Sequence, residues 1–164
     1  MERDQGFAEY AATHQQRMYR QAYLLTGDLH QAEDLVQATL LKLYRAWPRA
    51  SEVEYLKAYS SKTLVRTYLH GRRKWRREHE LSRLPAPARA ADPTDLRLTL
   101  LAALADLPRR ARAVVVLRFW DDLSVEQTAE ALGCSQGTVK SQSNRALRLL
   151  RERLGENFHI LQGH

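Results

Sequence analysis

Hydrophobic positions along the chain recur every three or four residues, and no strand-like alternation of apolar and polar residues persists. This spacing predicts helices, because it places the apolar side chains on one face of a helix with 3.6 residues per turn. The first predicted helix covers residues 5–25 and ends at Thr26-Gly27. Asp28 can cap the second, which we expect to end at Trp47, before a proline. We therefore predict an all-α protein.

A third helix is predicted to run from Ser51, which can cap it with Glu54 completing a capping box, to about Arg77. Its apolar side comprises Leu64, Val65, Tyr68 and Trp75. The opposite side is aromatic and basic and comprises Tyr55, Tyr59, Lys62, Arg66, Arg73 and Arg77. Because rings stack on unpaired bases and cations hold phosphates, this side is a candidate surface for single-stranded DNA. The alternative is a solvated basic helix whose tyrosines lie in the core.

The second predicted helix also has two distinct faces. Its core face comprises Ala32, Val36, Leu40, Leu43 and Trp47. A separate stripe comprises Asp34, Gln37, Ala38 and Leu41. A carboxylate, an amide and an apolar residue together could form a protein-docking surface. Leucines are also common on ordinary protein surfaces, so a face without a partner is the alternative.

Two helices joined by a tight turn are predicted for residues 122–154. Ser124 can cap the first, and Gln127 completes a capping box. Gly133 ends this helix, because glycine adopts the left-handed turn conformation at least cost, and Ser135 can cap the next. A short helix, a glycine turn and a longer basic helix are typical of the helix-turn-helix motif, which binds duplex DNA.

The longer helix of this motif has a packing side and a polar side. The packing side comprises Val139, Ser143, Ala146, Leu147, Leu150 and Leu154. The polar side comprises Thr138, Ser141, Asn144, Arg145 and Arg148, flanked by Lys140 and Gln142. Hydroxyl, amide and guanidinium groups can recognise base edges in the major groove, so we interpret this as a recognition helix. The alternative is a solvated amphipathic helix with ordinary charge pairs.

Three prolines among alanines and arginines predict a flexible linker at residues 79–95. The chain is thereby divided into two small helical domains, residues 1–78 and residues 96–155. Residues 156–164 form a tail that we expect to fray.

Positive charge is concentrated in one segment of the 164-residue chain, whose formal net charge is +7. Residues 47–78 hold nine basic and three acidic residues, whereas residues 1–46 hold five and six. This distribution indicates a polyanionic partner. The single cysteine, Cys134, cannot form an internal disulfide and suits a reducing cytoplasm. We interpret it as a half-buried turn residue rather than a redox sensor.

Catalytic and metal-binding patterns are missing from the sequence. The six histidines lack metal-ligand spacing, and no glycine-rich phosphate loop occurs. We therefore expect neither an enzyme nor a bound cofactor. No apolar run approaches the length that crosses a membrane, so membrane insertion is not expected either.

The chain resembles the extracytoplasmic-function sigma factors of bacterial RNA polymerase in three segments that follow the family's order. They are AEDLVQATLL (32–41), KAYSSKTLVRTYLHGRRKWRRE (57–78) and LADLPRRARAVVVLRFWDDLSVEQTAEALGCSQGTVKSQSNRALRLLRERL (104–154). YRQAYLLTGD (19–28) and the TYL before the arginine run are similar to the actinobacterial SigE-like group.

This resemblance implies a promoter-specificity subunit that binds RNA polymerase core and is monomeric when free. Residues 1–78 would dock on the polymerase clamp helices and open the −10 element. Residues 96–155 would bind the −35 element and the polymerase flap, with the linker threading towards the active-site channel. An anti-sigma protein is a further candidate partner.

The resemblance also implies roles for individual positions. Asp34 and Gln37 match positions that contact the clamp, and Leu41 shares their stripe. Lys140, Ser141 and Arg145 match −35 readers. The loop near Trp47–Glu54 and the third helix would capture a flipped −10 base and hold the non-template strand.

Three positions depart from the family's pattern. Ala38 replaces a usual glutamate in the docking stripe, and Arg66 replaces a usual asparagine before TYL. Gln142 replaces an arginine of the recognition helix, which would alter the −35 preference. Two alternatives stay open: a stand-alone helix-turn-helix regulator, which would need a dimer interface, and a promoter-inactive interaction protein.

Overall fold

Helices account for both domains in the part of the chain that the computed structural model describes, residues 2–71 and 93–161. The first domain contains α1 (Glu2–Thr26), α2 (Leu29–Arg45), the short α3 (Trp47–Ala50) and α4 (Leu56–His70). The second contains α5 (Pro93–Ala105), α6 (Arg109–Val115), a π-helical turn (Val116–Trp120), α7 (Val125–Leu132), α8 (Gln136–Leu154) and a 3-10 helix (Gly155–Leu161). The prediction of an all-α fold is confirmed.

The turn between α1 and α2 forms where the sequence predicts it. Gly27 has a φ of 70°, which glycine adopts at low cost. The carboxylate of Asp28 accepts the backbone N–H of Gln31 at 2.9 Å and so caps α2. α1 and α2 pack together, and Met18 and Val36 are fully buried in the core. Burying such a side chain contributes roughly 1.5–3 kcal/mol.

The end of α2 differs from the prediction. The helix stops at Arg45, and α3 begins at Trp47 with Pro48 in its first turn. Proline suits this position because the first N–H groups of a helix have no partner within it. A new helix therefore starts at the proline where the sequence predicted only an end.

The predicted start of α4 is wrong. Ser51 ends α3, and its backbone N–H donates to the Trp47 carbonyl at 2.9 Å. α4 begins at Leu56 after Tyr55, whose side chain makes no capping hydrogen bond. α4 ends at His70, so the predicted continuation to Arg77 falls on residues outside the described part of the chain.

The ends of the second domain also differ from the prediction. α5 begins at Pro93, inside the predicted linker; residues 79–92 of that linker lie outside the described ranges. Residues 155–161, for most of which we expected a frayed tail, form a 3-10 helix. Phe158 packs against the core, with the Arg151 guanidinium 5.1 Å from its ring centroid.

The segment between α6 and α7 has an unusual backbone. Its π-helical turn closes with the Asp121 N–H donating to the Val116 carbonyl at 2.9 Å, five residues back. Asp122 follows with a φ of 55°, a conformation that Asp and Asn tolerate better than most residues. Asp121 is only 2% exposed, and its carboxylate accepts hydrogen bonds from Gln21 and Ser61 of the first domain.

The two domains pack against each other. α4 contacts α7, and α1 contacts both α5 and the π-helical turn. Buried apolar residues of both domains form one continuous cluster. The sequence predicted the domains but not this packing. Among the described helices, none has the length and apolar character needed to cross a membrane.

Candidate nucleic-acid interface

The helix-turn-helix forms through the local signals that the sequence carries. The Ser124 hydroxyl accepts the Gln127 N–H, and the Gln127 side chain accepts the Ser124 N–H, both at 3.0 Å. Gly133 has a φ of 66°, and the Ser135 hydroxyl accepts the Thr138 N–H at 3.1 Å. The predicted capping box, left-handed turn and second cap are confirmed.

The recognition helix, α8, presents the two predicted sides. Val139, Ala146 and Leu150 are fully buried, while Leu147 is half-buried. The exposed residues of the opposite side are Thr138, Lys140, Ser141, Asn144, Arg145 and Arg148. Gln142 is half-buried, and its Oε1 has no hydrogen-bond partner among the described residues. The exposed side therefore presents hydroxyl, amide and guanidinium groups to solvent.

Two arginines that the sequence analysis did not single out brace this motif. Arg110 donates to the Leu132 carbonyl at 2.8 Å, at the end of α7. Arg118 donates to the Leu123 carbonyl at 2.6 Å, just before α7. Because the last carbonyls of a helix lack partners within it, Arg110 supplies a donor that the end of α7 needs, whereas Arg118 holds the segment before α7. The RRAR run (109–112) before the apolar stretch was the available signal for Arg110, and Arg118 lies inside that apolar stretch.

A third arginine of this segment, Arg112, makes hydrogen bonds to both domains. It donates to the carbonyls of Leu104 and Leu25 at 2.8 Å each, and to the Tyr68 hydroxyl at 2.8 Å. It also donates to Ala105 at 3.0 Å and to Leu107 at 3.1 Å. This single side chain therefore closes the end of α5 and joins the second domain to the first.

The predicted single-strand surface on α4 is partly covered. Tyr55 is 61% exposed, Tyr59 and Lys62 are half-buried, and Arg66 is exposed. Arg73 and Arg77 lie outside the described residues. A groove of about 420 Å³ is lined by Lys42, Tyr59, Lys62, Thr63, Arg66, Thr67 and His70. Its cations suit a polyanionic strand.

α7 covers one edge of this groove. Lys62 Nζ lies 3.2 Å from Glu130 Oε1. Arg66 Nε donates to the Ala131 carbonyl at 2.9 Å, and its terminal nitrogen donates to the Glu130 carbonyl at 3.1 Å. A cavity of about 140 Å³ remains beside these contacts, lined in part by Tyr59 and Gln127. The helix-turn-helix thus binds part of the predicted single-strand surface.

Trp47 lies in the core instead of on the DNA-facing loop. It is 7% exposed, and its ring centroid lies 5.5 Å from that of Phe7 and 5.3 Å from that of Tyr10. Edge-on and tilted ring contacts of this kind stabilise a core. The side chain therefore fixes the start of α3 and is not available for base stacking.

The predicted docking stripe on α2 is exposed except for one residue. Asp34 and Gln37 are exposed, Leu41 is 50% exposed, and Ala38 is half-buried. Leu35 is fully buried, although the sequence analysis placed it on neither face. Within the described residues, no cluster of His, Cys, Asp or Glu side chains could hold a metal ion.

Comparison with known proteins identifies both domains. Residues 11–78 match the family model for Sigma-70 region 2, and residues 97–150 match that for Sigma-70 region 4. The RNA polymerase sigma-E factor of Streptomyces coelicolor is 37% identical over 155 residues, covering 90% of this chain and 85% of that protein. The ECF RNA polymerase sigma factor SigL of Mycobacterium tuberculosis is 32% identical over 161 residues, covering 92% and 87%.

A solved structure is similar across both domains. It is the sigma factor RpoE in complex with the anti-sigma factor NepR from Bartonella quintana, with 28% identity and a TM-score of 0.72. The match covers 91% of this chain and 96% of that one. These similarities confirm the predicted resemblance, including its SigE-like character. The chain belongs to the extracytoplasmic-function class of RNA polymerase sigma factors, the non-enzymatic subunits that initiate transcription at promoters.

Proposed function

We propose that this sigma factor divides recognition among three helices. α8 reads the −35 element, α4 with its preceding loop contacts the −10 element, and α2 docks on the clamp helices of core polymerase. The observation that carries the proposal is the exposed polar side of α8, held by a capped helix-turn-helix on a buried core. Membership of the sigma family supplies the promoter as the DNA target.

For the −35 element, Arg145 is the proposed guanine reader. It is exposed one turn beyond Ser141, and a guanidinium can bind the O6 and N7 atoms of guanine together. Arg148 lies a turn farther along the helix and is assigned to a phosphate. The flanking contacts are assigned to Thr138, Lys140, Ser141, Asn144 and, at the edge, Gln142.

For the −10 element, Tyr55 and Tyr59 are proposed to stack on bases. Lys62 and Arg66 are proposed to hold phosphates, and so are Arg73 and Arg77, which lie outside the described residues. Trp47 is not proposed as a stacking residue, because its ring is buried. Support comes from the basic groove that lies beside Tyr59.

For the polymerase, Asp34, Gln37 and Leu41 are the proposed clamp-docking residues. Asp34 and Gln37 make no side-chain hydrogen bond to another described residue, and half of Leu41 is open to solvent. The second domain is assigned to the flap, for which Leu98 and Leu149 supply apolar surface at 39% and 40% exposure. The chain acts as a monomer in the cytoplasm, where its polymerase works.

An anti-sigma protein is a further proposed partner. The support is the RpoE structure, which is described as a complex with the anti-sigma factor NepR and which this chain resembles over both domains.

Run-off transcription from a library of random promoters tests the proposal. The purified chain is mixed with core polymerase, and the transcribed templates are sequenced; core alone is the control. We expect enrichment of two separated motifs, and a shift of the upstream motif with Arg145→Ala. A stand-alone regulator would instead bind palindromes as a dimer without polymerase, which gel filtration and pull-down detect. Binding to core without transcripts would indicate a promoter-inactive protein, as the Ala38, Arg66 and Gln142 departures allow.

A further inference from the structure

The cations assigned to the −10 strand are already occupied by the end of α7. Lys62 pairs with the Glu130 carboxylate at 3.2 Å, and Arg66 donates to the carbonyls of Ala131 and Glu130 at 2.9 and 3.1 Å. The C-terminal carbonyls of a helix carry partial negative charge. Together with the carboxylate, they present Lys62 and Arg66 with a cluster of oxygens that is chemically similar to a DNA phosphate.

The buried carboxylate of Asp121 stabilises the contact between α4 and α7. Asp121 lies at the end of the π-helical turn and is 2% exposed. Its carboxylate accepts hydrogen bonds from the Gln21 amide of α1 and the Ser61 hydroxyl of α4. Ser61 immediately precedes Lys62, so the bond to Asp121 fixes α4 next to the residues that α7 covers. In the closed arrangement these two hydrogen bonds offset the cost of burying the carboxylate, so a variant that weakens either of them disfavours closure.

The two proposed DNA surfaces differ in their accessibility. The recognition side of α8 is exposed, whereas Lys62 and Arg66 contact the helix-turn-helix. Promoter elements at −35 and −10 lie about 25 base pairs apart, or about 85 Å at about 3.4 Å per base pair. α4 and α7 touch in this structure, so one chain cannot hold both elements until these helices separate.

We propose that the closed arrangement is a resting state in which α7 occupies the −10 surface as a substitute for DNA phosphate, with Asp121 as its latch. The inference rests on the proposed assignment of Lys62 and Arg66 to the −10 strand. Single-stranded DNA and α7 then compete for the same side chains. Duplex −35 DNA does not compete, because α8 is open in both states.

Neutralising the latch tests the proposal in the full-length chain. Asp121→Asn removes the buried charge, and Ser61→Ala removes one of its donors from the other domain. Asp122→Asn is the matched control: it makes the same charge change one residue away, at an exposed position whose positive φ asparagine tolerates. Small-angle X-ray scattering reports opening as a rise from a radius of gyration of about 15 Å, the value for a closed chain of this length.

Affinity for a fluorescein-labelled single strand of random sequence, measured by anisotropy, reports access to α4. We expect Asp121→Asn and Ser61→Ala to expand the chain and to bind the strand about tenfold more tightly than the parent, with Asp122→Asn unchanged. A disorder-induced expansion is recognised by loss of helical circular dichroism. If Asp121→Asn does not fold, Ser61→Ala alone decides the result.

Each other outcome overturns a defined part. No expansion in folded variants excludes the latch. If the variants expand but bind the strand no more tightly than a parent that also binds it, α7 does not compete with DNA for Lys62 and Arg66, while the −10 assignment stands. Expansion with no strand binding by any variant refutes the −10 assignment itself, and with it the role of α7 as a substitute, leaving only the latch.

Discussion

Replacing Arg112 with methionine removes a guanidinium but keeps most of its apolar stem. The side chain makes five hydrogen bonds, four of them part-buried, to carbonyls of both domains and to the Tyr68 hydroxyl. Bonds from a charged donor contribute about 1.5–3 kcal/mol each, but bonds that share one guanidinium are not additive. We therefore expect the free energy of unfolding to fall by about 3–5 kcal/mol. The four part-buried hydrogen bonds should account for most of this loss, and the exposed one for little of it.

Thermal unfolding followed by circular dichroism measures this loss. For a chain of this size, about 1 kcal/mol lowers the melting temperature by about 2–4 °C, so a decrease of about 6–20 °C is expected. Arg110→Met is the matched control, since Arg110 lies on the same helix and makes one hydrogen bond, to Leu132. If both variants melt at the same temperature, the bonds of Arg112 do not carry the stability assigned to them.

Three further predictions address DNA binding, polymerase binding and the turn. Arg145→Ala should lower the selectivity between bases at one −35 position by about tenfold or more, because a bidentate guanine contact contributes about 1–3 kcal/mol. Arg148→Ala should instead weaken binding to all sequences alike. Binding-site selection with each variant tests this, and the reverse pattern would refute the assigned register of α8. Asp34→Arg should weaken binding to core polymerase in a pull-down, whereas Glu9→Arg, at an exposed position of α1, should not. Equal binding by the two variants would count against the proposed docking face. Gly133→Ala should lower the free energy of unfolding by about 1–2 kcal/mol. Backbone strain alone is the reason, since a Cβ there meets no described atom within 4 Å. An unchanged melting temperature would contradict this prediction.

The features that the sequence predicts correctly depend on neighbouring residues. Asp28, Ser124 and Ser135 cap helices because each can reach an N–H three residues away, independently of the rest of the fold. Gly27 and Gly133 end helices for a similarly local reason. The exposed side of α8 follows from helical periodicity once the core side is identified.

The features that the sequence does not predict depend on competition or distance. Ser51 and Glu54 have capping-box spacing, but Pro48 starts a helix just before them, and Ser51 is needed to end it. Gln21 and Asp121 are 100 positions apart, and no periodicity relates them. The packing of the two domains, and with it the covering of Lys62, therefore needs the three-dimensional structure.

The π-helical turn at Val116–Trp120 gives the chain a sensitivity to length rather than to composition. A π turn holds one residue more than an α-helical turn, so deleting one residue there would let α6 continue as a regular helix. Every side chain after the deletion would then rotate by about 100° and shift by about 1.5 Å along the axis. Asp121 would face away from Gln21 and Ser61 even though all three residues were retained. In this segment the number of residues is therefore under as strong a structural constraint as their identity.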